Sequence, residues 1–319
     1  MTTPLPRLIL IAGPTAGGKS SLAAGIAAAL DGVVINADAM QVYRDLPILT
    51  AQPSAALKQR VQHLLYEIVD PAVAFSAGKW LLQARAALTK VWHEGKTPIL
   101  VGGTGMYFQS LLKGLADIPD ILPHLRQSLQ ADYDRDGEAA LRARLAHYDA
   151  PAASLILPGD KQRLLRALEI VLATGKTQSM WQTEMPDGML KLADIYPVLV
   201  LPPRPALYAA CDQRLTAMIQ AGALDEAQKI LSMQLPVTLP AHKIIGLREF
   251  SRHFANTCSL NEATAMAQQA TRNYAKRQVT WFRNQWANNK ICFTRAPFII
   301  ENFAAPNDLA HAIAFCSKN

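Results

Sequence analysis

The octapeptide Gly13-Pro14-Thr15-Ala16-Gly17-Gly18-Lys19-Ser20 constrains the fold of this chain more than any other feature. It has the spacing G-x-x-x-x-G-K-[ST], follows the apolar run 8–12 and opens the alanine-rich run 20–30, so it reads as strand, phosphate-binding loop and helix. Glycines let the backbone wrap a phosphate with its N–H groups turned inward, and the helix N-terminus adds partial positive charge. Lys19 supplies a full charge and Ser20 a hydroxyl for Mg²⁺. Such a loop selects a diphosphate or triphosphate and leaves the rest of the ligand unspecified.

Residues 33–36, 99–101 and 198–201 are further short apolar runs bounded by Gly, Pro or Asp, the pattern of strands buried on both faces. Between them, 76–94 reads as a helix with Ser76 as N-cap and Gly95 as its stop. Strands alternating with helices predict an α/β fold with a P-loop NTPase-like parallel sheet. The rhythm breaks after Leu115, where a charged, helix-rich tract begins. The expected organisation is therefore a first part of the P-loop core at 1–116, an inserted all-helical domain at 117–196, and core completion with basic C-terminal helices at 197–319. Within the insertion, a helix over 160–174 closed by Gly175 buries Leu164, Leu165, Leu168, Val171 and Leu172, with Gln162, Arg163 and Arg166 beside that stripe. Beyond 201, helices are expected at 206–220, 224–234 and 261–288, the last opened by the capping box Ser259-Leu-Asn-Glu262.

Half of the 319 residues are apolar, which excludes intrinsic disorder. No apolar run approaches the ~20 residues of a membrane helix, and residues 8–12 run into a glycine loop where a signal peptide would continue. A soluble, cytoplasmic protein with no membrane partner is expected, as a monomer. The four cysteines are scattered, so neither disulfides nor structural zinc is expected. Basic residues outnumber acidic ones 10 to 6 in 1–116 and 13 to 7 in 197–319, but are outnumbered 9 to 12 in 117–196. That distribution suggests a polyanionic partner touching the outer thirds.

Asp38 follows the second strand directly, at the sheet edge where ligands of this architecture bind, as a Mg²⁺ ligand, a general base or a turn aspartate. Gly102-Gly103-Thr104-Gly105 brings a hydroxyl to the same edge; a tight turn explains the glycines equally well, but not Thr104. Arg204 and Arg214 lie at or near the beginning of the helix after the fourth strand, and spacing does not decide which reaches the phosphates. Residues 271–283 carry four cations, three aromatics and no acid. Phosphate contacts with base stacking would use such a helix, and so would a core helix that solvates its charges.

Six segments together resemble the tRNA dimethylallyltransferase family, the isopentenyl transferases acting on the adenosine immediately 3′ of the anticodon. They are GPTAGGKS at 13–20, DAMQVYR at 38–44, VGGTGMYF at 101–108, QRLLRALEI at 162–170, HKIIGLREF at 242–250 and TRNYAKRQVTWFR at 271–283. The resemblance implies that the loop 13–20 holds the diphosphate of dimethylallyl diphosphate, with Asp38 as base and Thr104 as its hydrogen-bonding partner. It implies that Lys19, Arg214 and Mg²⁺ near Ser20 stabilise the leaving diphosphate. The anticodon stem-loop of tRNA is the implied macromolecular partner, with the target base splayed out. Asp38, Ala39, Met40 and Gln41 would hold that base and its neighbours, with Thr104 and Arg126 as further contact points. Gln162, Arg163, Leu164, Leu165 and Arg166, then Lys243, Ile244, Ile245, Gly246, Leu247 and Arg248, would grip the anticodon arm, and Arg272, Lys276 and Arg277 would meet RNA phosphates.

The sequence departs from the family at four points: Ala39 and Gly17 replace serines, Gln52 stands where Ala-Lys-Pro is common, and Leu247 replaces a tyrosine that would stack on RNA. The rival functions are a small-molecule kinase, which would need ATP and lid arginines, an adenylate isopentenyltransferase acting on free nucleotide, and an RNA-binding module whose loop only senses nucleotide.

Overall fold

A computed structural model describes residues 4–288, 290–301 and 307–318. Among these, six strands make one parallel sheet: β1 (Arg7–Ala12), β2 (Gly32–Asn36), β3 (His63–Leu64), β4 (Thr97–Gly102), β5 (Asp194–Val200) and β6 (Phe298–Ile300), ordered β3-β2-β4-β1-β5-β6. Leu8, Ile9, Leu10 and Ile11 are wholly buried, which is why β1 is an unbroken apolar run rather than an alternating one. The helices of this part are α1 (Lys19–Ala29), α2 (Ala55–Arg60), α3 (Ala77–His93) and α4 (Gly105–Lys113). Small side chains let α1 lie close to its neighbours, burying Leu22 through Ala27. Ser76 caps α3 as expected, its side chain accepting the Lys79 N–H at 3.2 Å.

Register places the carboxyl ends of the central strands level. Ala12 lies beside Gly102 and Leu199, and Asn36 beside Val101. Gly13, Ala37 and Gly103 therefore leave the sheet together along one edge, the edge at which parallel α/β sheets bind ligands.

Residues Lys113–Gly188 form a compact unit separate from the rest of the chain. It contains α5 (Pro123–Tyr148, broken at Gly137 with φ 82°), α6 (Ala150–Leu155), α7 (Lys161–Thr174) and α8 (Gln178–Thr183). Its core joins Leu129, Leu141 and Leu145 to Leu164, Leu165 and Leu168, with Leu172 only half-buried. Asp160 caps α7 through the Arg163 N–H, and Gly175 ends it in the left-handed conformation. The expected boundaries, 117 and 196, differ from these limits at both ends. The C-terminal difference has a clear cause: β5 begins at Asp194, pairing with Arg7, so the stretch read as the end of the insertion belongs to the sheet.

The remaining helices are α9 (Arg204–Gln220), α10 (Ala223–Ser232), α11 (Leu247–Phe254), α12 (Leu260–Phe282) and α13 (Asp308–Ser317), with one turn of wider pitch, Arg283–Ala287, continuing α12. The Ser259/Glu262 capping box opens α12, Ser259 Oγ accepting the Glu262 N–H and Glu262 accepting the Ser259 N–H at 2.8 Å. Ala263, Ala267, Thr271 and Ala275 recur at helical spacing and give α12 a slim buried face, continued by Gln278 and Phe282.

Candidate active site

The loop after β1 is held in a conformation that its glycines permit. Gly13 has φ 150°, and a Cβ there would lie 2.3 Å from the Val200 carbonyl oxygen; Gly18 has φ 83° and Ala16 φ 61°. The Gly17 N–H closes the turn on the Pro14 carbonyl at 3.2 Å, and Lys19 Nζ donates to the same oxygen at 2.6 Å. No side chain caps the N-terminus of α1 and its first turn carries no acid, so no side-chain cap or carboxylate competes with an anion at that helix end. Burial lowers the Lys19 pKa to about 8, with Asp38 opposing the shift and the Arg214 cation adding to it.

Asp38 stands on a braced turn at the end of β2. Asn36, wholly buried, accepts the Asp38 N–H at 2.8 Å and donates to the carbonyls of Asp38 and Leu65. Asp38 Oδ1 accepts the Met40 N–H at 2.9 Å. Thr104 joins the two strand ends, its Oγ1 accepting the Ala39 N–H at 2.9 Å while its own N–H reaches the Ala37 carbonyl. The contact is close because residue 102 is glycine: a Cβ there would lie 2.0 Å from the Ala37 oxygen. Tyr66, Tyr107 and Tyr274 surround the carboxylate, and burial first, then the Asp38 charge, raises the pKa of each phenol.

Of the two arginines that spacing left open, Arg214 reaches the loop and donates to Thr15 Oγ1. Burial lowers its pKa, opposed by Cys211 and Asp38. Arg204 is exposed at the start of α9 and lies over Tyr208, to whose hydroxyl it donates at 2.9 Å. A cavity of about 510 Å³ joins these elements, lined by Thr15 to Ser21, Asp38, Gln41, Tyr66, Gly102 and Arg214. Its lining brings two cations, Lys19 and Arg214, together with the Asp38 carboxylate, which acts electrostatically on both. Among the described residues no three His, Cys, Asp or Glu side chains converge on a metal position. A Mg²⁺ ion at this loop would take the Ser20 hydroxyl as its protein ligand and complete its shell with diphosphate oxygens and water, which suits the way that ion is usually held.

The residues expected to touch RNA divide by exposure. Gln162, Arg163, Lys243, Arg248, Lys276 and Arg277 are exposed, and Ala39, Met40, Gln41, Ile245 and Arg166 partly so. Leu164, Leu165, Ile244 and Leu247 are buried side chains of helix cores, and Gly246 is buried, so the sequence reading of these five as contact residues needs correction. Leu247 packs in the α10–α11–α12 core, so the expected loss of a stacking contact there does not follow. Arg272 is also otherwise engaged, holding Asp212 of α9 at 2.6 and 2.7 Å. Within the helical unit, Arg126 and Arg166 share the buried carboxylate of Glu169, at 2.6 and 3.2 Å. Burial pushes the Glu169 pKa up, and the bonds from Arg126 and Arg166 outweigh it.

Sequence reasoning missed Tyr66, Tyr274 and Gln278. Tyr274 lies beside Thr104, and Gln278 accepts the Thr15 N–H. The one visible signal for Gln278 was a polar residue in register with the small apolar face of α12.

The IPP transferase family model matches residues 41–285. A tRNA dimethylallyltransferase of Phenylobacterium zucineum is 47% identical over 282 residues, covering 88% of this chain and 91% of that protein. One of Rhodopseudomonas palustris is 46% identical over 280 residues, covering 88% and 87%. Among solved structures, the full-length tRNA isopentenylpyrophosphate transferase of Bacillus halodurans aligns with a TM-score of 0.66 at 30% identity, covering 98% of both chains. A eukaryotic dimethylallyltransferase acting on tRNA aligns at 0.82 and 26% identity, covering 97% of this chain and 77% of that one. With a phosphate loop, a braced carboxylate and an arginine on one cavity, and with these matches over most of its length, the chain belongs to the IPP transferase family.

Proposed function

We propose that the chain transfers the dimethylallyl group of dimethylallyl diphosphate to the N6 amine of the adenosine immediately 3′ of the anticodon in tRNA. The observation that carries this reading is one cavity lined by the phosphate loop, Lys19, Arg214 and Asp38, with the Asp38 carboxylate within electrostatic reach of both cations. The new bond joins N6 to the allylic carbon, the carbon–oxygen bond to diphosphate breaks, and the N6 proton goes to a base. The amine is a weak nucleophile because its lone pair is delocalised into the ring, so a base poised at its proton lowers the barrier. Asp38 fits that role, since its Oδ1 is anchored by the Met40 N–H and the carboxylate still has a second oxygen. Thr104 fixes the backbone beside it through Ala39.

The departing diphosphate gathers negative charge, which the α1 N-terminus, Lys19 and Arg214 are placed to stabilise. Bound Mg²⁺ would supply further charge neutralisation of the diphosphate, next to Ser20. Splayed RNA needs contacts away from the cavity, and the exposed Lys276, Arg277, Lys243 and Arg248 offer them in the core unit. Gln162, Arg163, Arg166 and Arg126 offer them in the helical unit, where the Glu169 fork presets two of the guanidinium groups. Protein in the cytoplasm, where its substrates are, completes the reading.

The test is a transfer assay with an anticodon stem-loop RNA, Mg²⁺ and isotopically labelled dimethylallyl diphosphate, run beside labelled ATP. Label from the prenyl donor should enter the RNA without ATP. ATP hydrolysis or phosphorylation with no prenyl transfer would contradict the reading and favour a kinase.

A further inference from the structure

Gln278 is a buried polar residue on the otherwise apolar and small face of α12, only 5% exposed. Both ends of its amide are used, and on different loops. Oε1 accepts the Thr15 N–H of the phosphate loop at 2.8 Å, and Nε2 donates to the Gly103 carbonyl at 2.8 Å, in the turn that carries Thr104. The orientation is determined by chemistry, because a backbone N–H can only donate and a carbonyl can only accept. Residue 103 is glycine for a matching reason: a Cβ there would lie 2.1 Å from Nε2.

Neighbours on the same helix reinforce the placement. One turn before, Tyr274 lies beside Thr104; one turn after, the Trp281 ring lies so close to Gly105 that a Cβ there would come within 2.4 Å of it. Thr15 is thus held from two helices, its N–H by Gln278 of α12 and its hydroxyl by Arg214 of α9. Lys276, on the far side of α12, and Arg277, whose guanidinium lies over the Tyr274 ring, are exposed.

We propose that Gln278 is a positioning residue that locks the phosphate loop to the Thr104 turn and so fixes the separation between bound diphosphate and the acceptor amine. The proposal rests on the transfer reading of the cavity. It assigns to Gln278 no contact with either substrate; its effect passes through the Thr15 and Gly103 backbone. An amide meets both demands at neutral pH, whereas a carboxylate accepts from Thr15 but cannot donate to Gly103 until it is protonated.

The test compares native protein with Gln278→Leu and Gln278→Glu. The measurements are steady-state transfer, RNA dissociation constant, calorimetric affinity for Mg²⁺-pyrophosphate, and thermal midpoint as a check on folding. Misplacing the reacting groups should lower kcat by about 10- to 100-fold in both variants at neutral pH, with the RNA dissociation constant unchanged within about twofold and pyrophosphate affinity reduced. The rate of Gln278→Glu, expressed as a fraction of the native rate at each pH, should rise as pH falls, because protonation restores the donor to Gly103. That of Gln278→Leu should stay flat. A Gln278→Glu ratio that does not change with pH in a folded variant, native kcat in Gln278→Leu, or RNA affinity lost in proportion to rate would overturn the proposal. Pyrophosphate affinity separates the two claims: native protein that makes no prenylated RNA, yet binds pyrophosphate in a Gln278-dependent way, would sink the transfer reading and keep the link between the loops.

Discussion

Lys19 carries the clearest pH signature in the molecule. Burial takes its pKa from 10.5 to about 8, so the unfolded chain binds more protons than the folded one between those values, and stability without ligand rises with pH across that window. A bound diphosphate reverses the shift by adding negative charge beside the ammonium. Donor binding therefore takes up a proton above about pH 8. The KM for dimethylallyl diphosphate should be flat below that pH and climb above it, and Lys19→Arg should remove the inflection because a guanidinium stays charged. In the same cavity, Asp38→Asn keeps an oxygen to accept the Met40 N–H and removes the base. Transfer should fall by about 10²- to 10⁴-fold, with tRNA affinity nearly unchanged in a filter-binding titration. An equal loss of affinity would make Asp38 a recognition residue. Both groups were legible from the sequence, Lys19 through the phosphate-loop spacing and Asp38 because it follows a strand end, where such sheets place their chemistry. Arg214 was not separable from Arg204 in that way. They share one helix, and only the packing of α9 against the loop decides which one reaches Thr15.

At the scale of elements, α12 shows what a motif string conceals. The segment 271–283 reads as a basic, aromatic ribbon, yet its members face four different environments. Phe282 packs edge-on against Phe108 and Trp286, Trp281 lies over Gly105, Arg272 holds Asp212, and Lys276 and Arg277 face outward. The pair of Arg272 and Asp212 is only partly shielded, at 22% and 35% exposure, so Arg272→Ala should cost about 1 kcal/mol in a denaturant titration. It should leave the salt dependence of tRNA binding as it was. Lys276→Ala and Arg277→Ala should each lower that slope by about 0.7–0.9, the share of one phosphate contact. The reverse pattern would return Arg272 to the RNA surface. The same sorting corrects α7 and α11: a matching stretch carries its buried leucines along with its exposed cations, and the helical period, not the match, separates Leu164 and Leu165 from Arg163. The short strands β3 and β6 escaped sequence reading because two or three residues hold too little pattern to register against turns.

Over the whole molecule, alternation of buried strands and helices was enough to give the parallel sheet, while the limits of the helical unit were not. Its ends lie in charged, proline-containing stretches where composition changes several residues after the packing does. That unit is acidic on average, so the grip on RNA proposed for it would depend on local cations. Arg163→Ala combined with Arg166→Ala should weaken binding of an anticodon stem-loop and flatten its salt dependence by up to about 1.4–1.8 in slope. Glu169 keeps Arg126 as a partner in that variant, so its carboxylate is not left buried and unpaired. A slope equal to that of the native protein would remove the helical unit from the RNA interface. The central claim, that the phosphate loop serves a prenyl donor and Asp38 in the same cavity serves a flipped adenosine, is tested most directly on the product. The measurement is fragmentation mass spectrometry of an anticodon stem-loop RNA after incubation with the protein, Mg²⁺ and dimethylallyl diphosphate. The account predicts one dimethylallyl group on the base of the adenosine immediately 3′ of the anticodon, absent with Asp38→Asn; unmodified RNA, or a prenyl group on any other nucleotide, would contradict it.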